Sequence, residues 1–411
     1  MASNETFVIV GASLAGAKAA QTLREEGFGG RVVLVGAEED RPYERPPLSK
    51  EYLRGEADRG KVYVHQGDFY DEHEIELRLG TVVEALDTSS SEVVLAGGER
   101  LGYDRLLLTT GAEPRRLQIP GAELEGVYYL RTVEDSDVLR SRLDASGRLA
   151  VIGAGWIGAE VAASARQRGL EVTVIEPLSV PLERVLGIEL GSFYRDVHVG
   201  HGVEMWLGTG VKEFEGDGNV AAVVTGDGRR AECDFAVVGV GVVPRTALAE
   251  SGGLELDNGI LVNQFLETSV PGVFAAGDVA NAWHPFYDAR IRVEHWANAL
   301  NQGPAAARNM LGQDKPYDRL PYFFSDQYDV GMEYSGYATA QDEVAFRGDP
   351  KGGQFVAFWL ENDRVIAGMN VNVWDVNEHV QALIHSGQPV DRTRLTDPDT
   401  PLEELVALTS R

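Results

Sequence analysis

The chain has 411 residues, 44% of them hydrophobic, and is long enough for two or three domains that each bury a core. Its 64 acidic and 37 basic residues give a net charge of −27, which argues against nucleic acid or an anionic membrane as partner. The single cysteine, Cys233, excludes an internal disulfide and a multi-cysteine metal or iron–sulfur site. We find neither a membrane-spanning apolar run nor a signal peptide, so the sequence predicts a cytoplasmic location.

The N-terminal residues predict a strand–turn–helix unit that binds a nucleotide. An apolar strand, Phe7–Val10, leads into a turn with G-x-G-x-x-G spacing and then a helix over Ala17–Glu26. Ser13 occupies the middle glycine position, where so small a side chain still lets a pyrophosphate approach. Glu38, after the next strand, is the candidate acid for the hydroxyls of a ribose.

The segment Pro42–Lys50, PYERPPLSK, is predicted to be a loop, because its prolines stop regular structure. Ser49 is expected to cap a short helix that follows. Arg45 and Lys50 are expected where this loop returns to the first glycine turn. Further on, residues 72–86 predict a short pair of strands.

The stretch Leu149–Pro177 carries a second, stronger fingerprint: a buried strand, a glycine turn, a helix and a strand that ends on an acid. The three glycines have different roles: Gly153 makes the tight turn, Gly155 lets a pyrophosphate approach the backbone, and Gly158 lets the helix pack on the strand. The free N–H groups and positive partial charge at the N-terminus of the helix would favour binding of the phosphates. Glu176 would accept hydrogen bonds from the ribose and repel a 2′-phosphate, so we predict NAD rather than NADP.

Two apolar strands that end in small residues close these units. The first strand, Leu106–Gly111, ends in Thr110 and Gly111, whose small size lets the backbone pass close to a ligand. The second, Phe235–Gly241, echoes this pattern of an apolar strand with a small-residue end. The echo indicates two βαβ units and therefore two dinucleotides. Such a pair suits a nicotinamide that donates hydride and a flavin that receives it.

Two further motifs are candidates for flavin contacts. Residues 271–280, PGVFAAGDVA, predict a strand and then a helix, with Asp278 at the turn to accept from ribityl hydroxyls. Residues 292–303 predict a helix that starts near Ala297, after Glu294 and Trp296. Its N-terminus would stabilise the negative charge of a reduced flavin.

The character of the chain changes at about Leu320. Aromatic residues cluster, and the strands VAFRG, QFVAFWLEN and RVIAGMNVNV precede a helix expected over residues 375–385. These patterns predict a separate α+β domain with an antiparallel sheet.

The motifs G-x-S-x-x-G, PYERPPLSK, TTGAEPR, G-x-G-x-x-G-x-E, FAAGDVA, EHWANALNQG and PYFFSDQYD stand in an order that resembles the ferredoxin reductases of oxygenase systems. Those NADH-dependent flavoproteins supply Rieske dioxygenases and haem monooxygenases. The resemblance spans nearly the whole chain and implies an α/β fold of glutathione-reductase type, with two Rossmann-like domains and the C-terminal α+β domain. The implied domains are 1–111 with 241–319 for FAD, 112–240 for NAD, and 320–411.

The resemblance also implies the site residues. Lys50 and Glu160 match a charge pair that the family places beside the reactive edge of the flavin, where they would orient the nicotinamide. The residues implied to bind FAD are Gly11, Ser13, Leu14, Ala15, Gly16, Glu38, Arg45, Lys50, Val83, Thr110, Gly111, Arg131, Asp278, Glu294 and Trp296. The residues implied to bind NAD are Gly153, Gly155, Ile157, Gly158, Glu160, Glu176, Gly239 and Gly241. One departure is Phe324, which stands where the family often has Trp.

By this resemblance, hydride passes from NADH to FAD, and the electrons leave singly to a [2Fe–2S] ferredoxin. An acidic ferredoxin would need a basic patch on this acidic protein, and Arg290, Arg308, Lys315 and Arg319 are the candidates. The implied assembly is a monomer or a weak homodimer.

Three other functions remain open. A flavin disulfide reductase or peroxidase needs a redox cysteine near the flavin, and Cys233 lies at the wrong end of the NAD domain. A reductase of rubredoxin or another carrier would share the first half-reaction. A protein resembling apoptosis-inducing factor would use its NADH-reduced state to control binding of a partner, and the lack of a basic surface tells against it.

Overall fold

The computed structural model describes residues 4–145, 147–339 and 342–409, and the chain forms two compact units. Unit 1 contains Met1–Arg45, Arg59–Glu113 and Val242–Arg319. Unit 2 contains Pro46–Asp58, Pro114–Gly241 and Leu320–Arg411. The segments predicted as NAD and C-terminal domains thus fall largely within one unit, and the three-domain division stays a prediction.

The regular elements are numbered in chain order. The strands are β1 (Thr6–Val10), β2 (Arg31–Val35), β3 (Ile75–Arg78), β4 (Val83–Asp87), β5 (Glu92–Leu95), β6 (Arg100–Gly102), β7 (Arg105–Leu108), β8 (Ala112–Pro114), β9 (Val127–Tyr128), β10 (Arg148–Ile152), β11 (Glu171–Glu176), β12 (Glu204–Leu207), β13 (Val211–Asp217), β14 (Asn219–Thr225), β15 (Arg230–Glu232), β16 (Phe235–Val238), β17 (Val242–Pro244), β18 (Ile260–Val262), β19 (Val273–Ala275), β20 (Ala280–His284), β21 (Ala289–Ile291), β22 (Tyr322–Gln327), β23 (Val330–Gly336), β24 (Glu343–Asp349), β25 (Gln354–Glu361) and β26 (Arg364–Val371). The α-helices are α1 (Leu14–Glu25), α2 (Phe69–Glu72), α3 (Val133–Asp144), α4 (Trp156–Gln167), α5 (Glu183–Gly200), α6 (Ala247–Ser251), α7 (Trp296–Met310), α8 (Asn377–Ser386), α9 (Arg392–Thr396) and α10 (Leu402–Thr409).

Unit 1 is built on a five-stranded parallel sheet in the order β19–β7–β1–β2–β3. The central strand β1 is buried from Phe7 to Val10, as expected for a parallel strand covered on both faces. Helices α1 and α7 add small side chains such as Ala19, Ala20 and Ala306 to the same core. The carboxyl end of β1 therefore opens into the predicted glycine turn at one edge of the sheet.

Two smaller sheets, β4–β5–β6 and β18–β20–β21, belong to unit 1 and correct two predictions. Residues 72–86 do not form a pair of strands, because β3 joins the parallel sheet while β4 pairs with β5. No helix follows Asp278: Gly277–Val279 is a single 3₁₀ turn, and the chain continues as β20. Pairing of β20 with β18 and β21 decides the conformation here and overrides the helix that the small residues of this segment predict.

The part of unit 2 that precedes residue 242 contains a second parallel sheet, ordered β12–β11–β10–β16–β9. Helix α4 connects β10 to β11, which confirms the strand, turn, helix and strand predicted over residues 149–177. Helix α3 begins with a capping box formed by Thr132 and Asp135. An antiparallel sheet, β13–β14–β15, completes this part.

The C-terminal part of unit 2 is an antiparallel sheet, ordered β22–β23–β26–β25–β24, with helices α8 to α10. Its apolar face shares one core with α5: Leu186, Leu190 and Tyr194 are buried together with Trp359 and Met369. The α+β prediction for this region is therefore confirmed, with α8 displaced by one or two residues from the expected helix.

The short segment Pro46–Asp58 is anchored to the rest of unit 2 through Ser49. Pro46–Ser49 forms a 3₁₀ turn and no α-helix follows, so the predicted capping role of Ser49 is wrong. Its hydroxyl donates instead to Glu160 Oε2 at 2.5 Å, and its carbonyl oxygen accepts from Ser164 Oγ at 2.7 Å. Both partners lie on α4, more than a hundred residues away in sequence.

Candidate dinucleotide-binding sites and a buried lysine–glutamate pair

The glycine turn between β10 and α4 contains two glycines that the fold requires and one that it does not. Gly153 has a φ of +96°, and a Cβ there would lie 2.5 Å from the carbonyl oxygen of Gly239. A Cβ on Gly158 would lie 2.0 Å from the carbonyl oxygen of Gly153. Gly155 has an ordinary φ of −74°, and no described neighbour lies within 4 Å of its added Cβ. Bare, open backbone at Gly155 is what an approaching pyrophosphate needs, so this turn fits a dinucleotide.

Glu176 ends β11 beside this turn. Its Oε2 accepts a hydrogen bond from the N–H of Ala154 at 2.7 Å, and its Oε1 accepts from the N–H of Leu178 at 3.0 Å. The carboxylate is thus fixed at the edge of the turn, where a ribose would follow the pyrophosphate. Ile157, in the first turn of α4, is an apolar side chain that is 44% exposed. Gly241, at the end of the neighbouring strand, has a φ of +98° and open space around it.

The first glycine turn repeats this geometry in unit 1. A Cβ on Gly11 would lie 2.2 Å from the carbonyl oxygen of Thr109, and one on Gly16 would lie 2.2 Å from the carbonyl oxygen of Gly11. Ser13 has a φ of −121°, an extended conformation open to any residue, and its side chain makes no capping bond to α1. Serine is therefore compatible with the turn.

Glu38 follows β2 and is held by its neighbours. The hydroxyl of Tyr43 donates to its Oε2, and Arg45 Nη2 lies 3.5 Å from its Oε1. Burial opposes the charge of Arg45, but Tyr43, Glu38 and Asp278 outweigh that effect and raise the pKa of its guanidinium. A fixed carboxylate beside a fixed cation suits the ribose and phosphates of a dinucleotide.

Two further predicted flavin contacts lie at the ends of elements in unit 1. Thr110, after β7, donates through Oγ1 to the carbonyl oxygen of Arg245 at 2.8 Å. Glu294 forms an ion pair with Arg292 at 2.5 Å just before Trp296 begins α7. These bonds fix the loops that carry the predicted residues.

The side chains of Lys50 and Glu160 form a buried ion pair within unit 2. Lys50 Nζ lies 2.8 Å from Glu160 Oε2, and the two side chains are 7% and 5% exposed. The same carboxylate accepts from Ser49 Oγ at 2.5 Å and from Ser325 Oγ at 2.7 Å. Lys50 Nζ also lies 5.5 Å from the ring centroid of Phe324. Three donors therefore fix the orientation of one carboxylate on α4.

Sequence reasoning missed the two serines. Ser49 stands next to Lys50 in PYERPPLSK, where its position predicts a helix cap, and Ser325 follows Phe324 in PYFFSDQYD. A small hydroxyl residue beside each recognised position was the available signal. Their contacts with Glu160 depend on pairings that span 111 and 165 residues.

Cys233 is buried, and burial raises the pKa of its thiol to about 12. Among residues 4–145, 147–339 and 342–409, no cluster of three His, Cys, Asp or Glu side chains could hold a metal ion. Within those same ranges, no helix is both long and apolar enough to cross a membrane.

The two units divide the predicted site residues between them. Unit 1 contains Gly11, Ser13, Leu14, Ala15, Gly16, Glu38, Arg45, Val83, Thr110, Gly111, Asp278, Glu294 and Trp296. Unit 2 contains Lys50, Arg131, Gly153, Gly155, Ile157, Gly158, Glu160, Glu176, Gly239 and Gly241. Each unit thus brings one glycine turn and one acid together.

Two parallel sheets, each with its own dinucleotide turn, and a buried Lys–Glu pair define a flavoprotein oxidoreductase that uses a pyridine nucleotide. The chain belongs to the pyridine nucleotide-disulphide oxidoreductase family, which matches residues 5–303, and residues 322–406 match the reductase C-terminal family. The predicted fold class is confirmed.

Similar proteins specify the activity. Rhodocoxin reductase of Rhodococcus erythropolis is 37% identical over 98% of this chain and 94% of its own length. The ferredoxin–NAD(+) reductase component of the anthranilate 1,2-dioxygenase system of Burkholderia cepacia is 37% identical over 98% of this chain and 99% of its own length. A chain in the crystal structure of the covalent putidaredoxin reductase–putidaredoxin complex superposes with a TM-score of 0.95, at 38% identity over 99% of both chains.

These findings make the chain an FAD-dependent NADH:ferredoxin reductase, and they confirm the predicted family, cofactors and activity. A ferredoxin is its electron-accepting partner. The disulfide chemistry in the family name requires a pair of cysteines that this chain lacks, since Cys233 is its only one.

Proposed function

We propose that the partner is a [2Fe–2S] ferredoxin that supplies a monooxygenase or a Rieske dioxygenase, and that Lys50 and Glu160 are the catalytic residues. The observation that carries this proposal is the buried ion pair of Lys50 with Glu160, which lies on the helix that follows the NAD-type glycine turn. A charge pair with side chains under a tenth exposed is costly to bury, which favours a chemical role over a purely structural one.

When bound, FAD accepts hydride from NADH and releases the two electrons singly, so one NADH reduces two one-electron carriers. The protein contributes orientation. In our proposal the turn at Gly155 holds the pyrophosphate of NADH and Glu176 holds its ribose. Positioning of this kind supplies most of the acceleration when no proton transfer is needed.

Glu160 would complete the orientation by binding the carboxamide of the nicotinamide. A carboxylate has about four acceptor positions, and Ser49, Lys50 and Ser325 use three of those of Glu160. One position therefore remains for an amide N–H. The charge of Lys50 would stabilise the negative charge of the reduced flavin.

For the docking of the carrier, we propose the basic candidates of unit 1. Arg290, Lys315 and Arg319 are exposed, whereas Arg308 is half-buried and lies 2.8 Å from Glu26, which neutralises it. Arg308 is therefore the weakest candidate. We further propose a monomer or weak homodimer that acts in the cytoplasm, where its single thiol stays reduced.

The test is an anaerobic stopped-flow experiment with the flavin-loaded protein. NADH should bleach the flavin absorbance rapidly, and an oxidised [2Fe–2S] ferredoxin added next should restore it while becoming reduced. Fast bleaching without return for every ferredoxin and rubredoxin tried would contradict the carrier assignment and favour a partner-binding role. Lys50→Met and Glu160→Gln should each slow the bleaching, and normal rates in both would contradict the catalytic assignment.

A further inference from the structure

A continuous chain of hydrogen bonds leads from Glu160 into the C-terminal part of unit 2. Ser325 Oγ donates to Glu160 Oε1 at 2.7 Å, and Gln327 Nε2 donates to Ser325 Oγ at 3.3 Å. Gln327 Oε1 lies 2.9 Å from His198 Nε2, and His198 Nδ1 lies 3.2 Å from the hydroxyl of Tyr328. This orienting chain joins α4, β22 and α5.

The acceptor at one end fixes the direction of every bond. Because the carboxylate of Glu160 only accepts, Ser325 must donate to it, and the serine oxygen then accepts from the amide of Gln327. The carbonyl of that amide faces His198, so the imidazole must carry its proton on Nε2. Its bare Nδ1 then accepts from Tyr328. All four donors point toward Glu160.

Because its members are buried, the orienting chain would cost free energy of folding if any of its hydrogen bonds were missing. Ser325, Gln327 and His198 are each 1% exposed, and the core beside them is otherwise apolar and aromatic. Burial lowers the pKa of His198 to about 4, so the ring is neutral at ordinary pH. Its two hydrogen bonds then select the tautomer with the proton on Nε2. Apolar residues would pack there without the cost of burying three polar groups, which indicates a role in the site that they reach.

The alternation of β22 explains how this strand supplies two members of the orienting chain. Successive side chains of a strand point to opposite faces, so Ser325 and Gln327 share one face of β22. His198 meets that face from the last turn of α5. The geometry comes entirely from elements of unit 2.

We propose that Ser325, Gln327 and His198 are positioning residues that hold the carboxylate of Glu160 in the orientation it needs to bind the nicotinamide. This inference rests on the proposed function of Glu160, and it assigns the C-terminal part of unit 2 a share in NADH orientation. Ser325 acts directly on the carboxylate, while Gln327 and His198 act through Ser325.

The first test observes the orienting chain without turnover. In ¹⁵N-histidine NMR of the flavin-loaded protein, His198 should be the neutral Nε2–H tautomer. Glu160→Gln removes the charge that directs the bonds, so the His198 nitrogen signals should shift and the other tautomer should gain population. Glu333→Gln is the control, because that carboxylate also accepts from a buried amide of the same sheet, that of Asn370, but lies outside the chain. Identical His198 signals in wild type and Glu160→Gln would overturn the proposal.

The second test measures orientation. Ser325→Ala should slow flavin reduction at saturating NADH by roughly 10- to 150-fold, the effect of losing one hydrogen bond to a charged group, while the Kd for NADH changes far less. Gln327→Leu should act in the same direction with a smaller effect. The control is Ser335→Ala, because Ser335 is buried in the same sheet, donates to Asn377 at 2.7 Å and accepts from Gln381 at 3.0 Å. Equal rates for Ser325→Ala and Ser335→Ala would overturn the proposal.

The two tests separate the inference from the function on which it rests. If NADH does not reduce the flavin of the wild type, the proposed function fails, whatever the NMR result. If NADH does reduce it and His198 does not respond to Glu160→Gln, the positioning role fails alone. Should Ser325→Ala lose its flavin, Ser325→Thr, which keeps the hydroxyl, must restore the rate, and failure of that rescue in a flavin-loaded protein would count against the inference.

Discussion

The carboxylate of Glu176 accepts a hydrogen bond from the backbone N–H of Ala154 at 2.7 Å, so the acid that ends β11 closes on the glycine turn of the same sheet. This contact ties the residue expected to select the coenzyme to the backbone expected to hold its phosphates. Replacement of Glu176 should therefore affect both affinity and selectivity.

Glu176→Ala should weaken NADH binding by roughly 10- to 100-fold, because a charged acceptor is lost and a buried N–H is left without its partner. The preference for NADH over NADPH should shrink, since the repulsion of a 2′-phosphate disappears. Titration of both coenzymes against the flavin-loaded protein measures the change. Glu171→Ala, an exposed acid at the start of the same strand, is the control. An unchanged preference in Glu176→Ala would contradict the assignment.

The glycine turn predicts a contrast between two alanine variants. Gly155→Ala should fold normally, because φ is −74° and the space for a Cβ is open, yet it should lose most of its NADH affinity. Gly158→Ala should be strongly destabilised, because its Cβ would lie 2.0 Å from the carbonyl oxygen of Gly153. Urea unfolding and NADH titration separate the two effects. Tight NADH binding by Gly155→Ala would show that the pyrophosphate lies elsewhere.

Substitutions in the buried ion pair of Lys50 and Glu160 should change stability and activity independently. Lys50→Met leaves a buried carboxylate without its cation and should lower the free energy of unfolding by about 3–5 kcal/mol. The double variant Lys50→Met/Glu160→Leu removes both charges and should recover much of that loss, while flavin reduction stays slow. Denaturant unfolding and stopped-flow reduction provide the measurements. As a control, Arg31→Met breaks an exposed pair with Glu76 and should cost under about 1 kcal/mol. A double variant with wild-type reduction rates would contradict the catalytic role.

Buried His198 predicts loss of stability in acid. Its pKa falls from 6.5 to about 4 on folding, so between these values the unfolded state binds more protons than the folded state. The contribution of neutral His198 to the free energy of unfolding is fully present above pH 6.5. It declines as the pH falls toward 4, by roughly 3 kcal/mol in total. Comparison of unfolding free energies against pH for wild type and His198→Gln should show a flatter curve for the variant. The control, His385→Gln, removes an exposed imidazole at the end of α8, and parallel curves for wild type and His198→Gln would contradict the account.

Charge reversal on the proposed docking surface should change only the reaction with the electron carrier. Arg290→Glu and Lys315→Glu should lower the bimolecular rate with ferredoxin, most strongly at low salt, and leave flavin reduction by NADH unchanged. Lys212→Glu, on an exposed strand of unit 2, serves as the control. Carrier rates that match the control in both variants would remove these residues from the docking surface.

The sequence predicted those features that depend on neighbours along the chain. The turns at Gly11 and Gly153 follow from short motifs flanked by apolar strands, and both appear as expected. Errors arose where a distant partner decides the outcome. The residues after Asp278 became a strand because β18 and β21 pair with them.

The candidate site shows the same limit. The resemblance identified Lys50 and Glu160, but no local pattern indicated that Ser49 and Ser325 would meet on the same carboxylate. Those contacts arise only when segments separated by 111 and 165 residues fold together. The orienting chain to His198 depends on the same long-range packing.

Cys233 gives the protein a practical property. It is the only thiol, it is 2% exposed, and burial raises its pKa to about 12, so maleimide and similar reagents find almost no thiolate to attack. A cysteine introduced at any exposed position becomes the single labelling site without removal of the native one. A fluorophore or spin label beside Arg290 would then report the arrival and departure of the carrier directly.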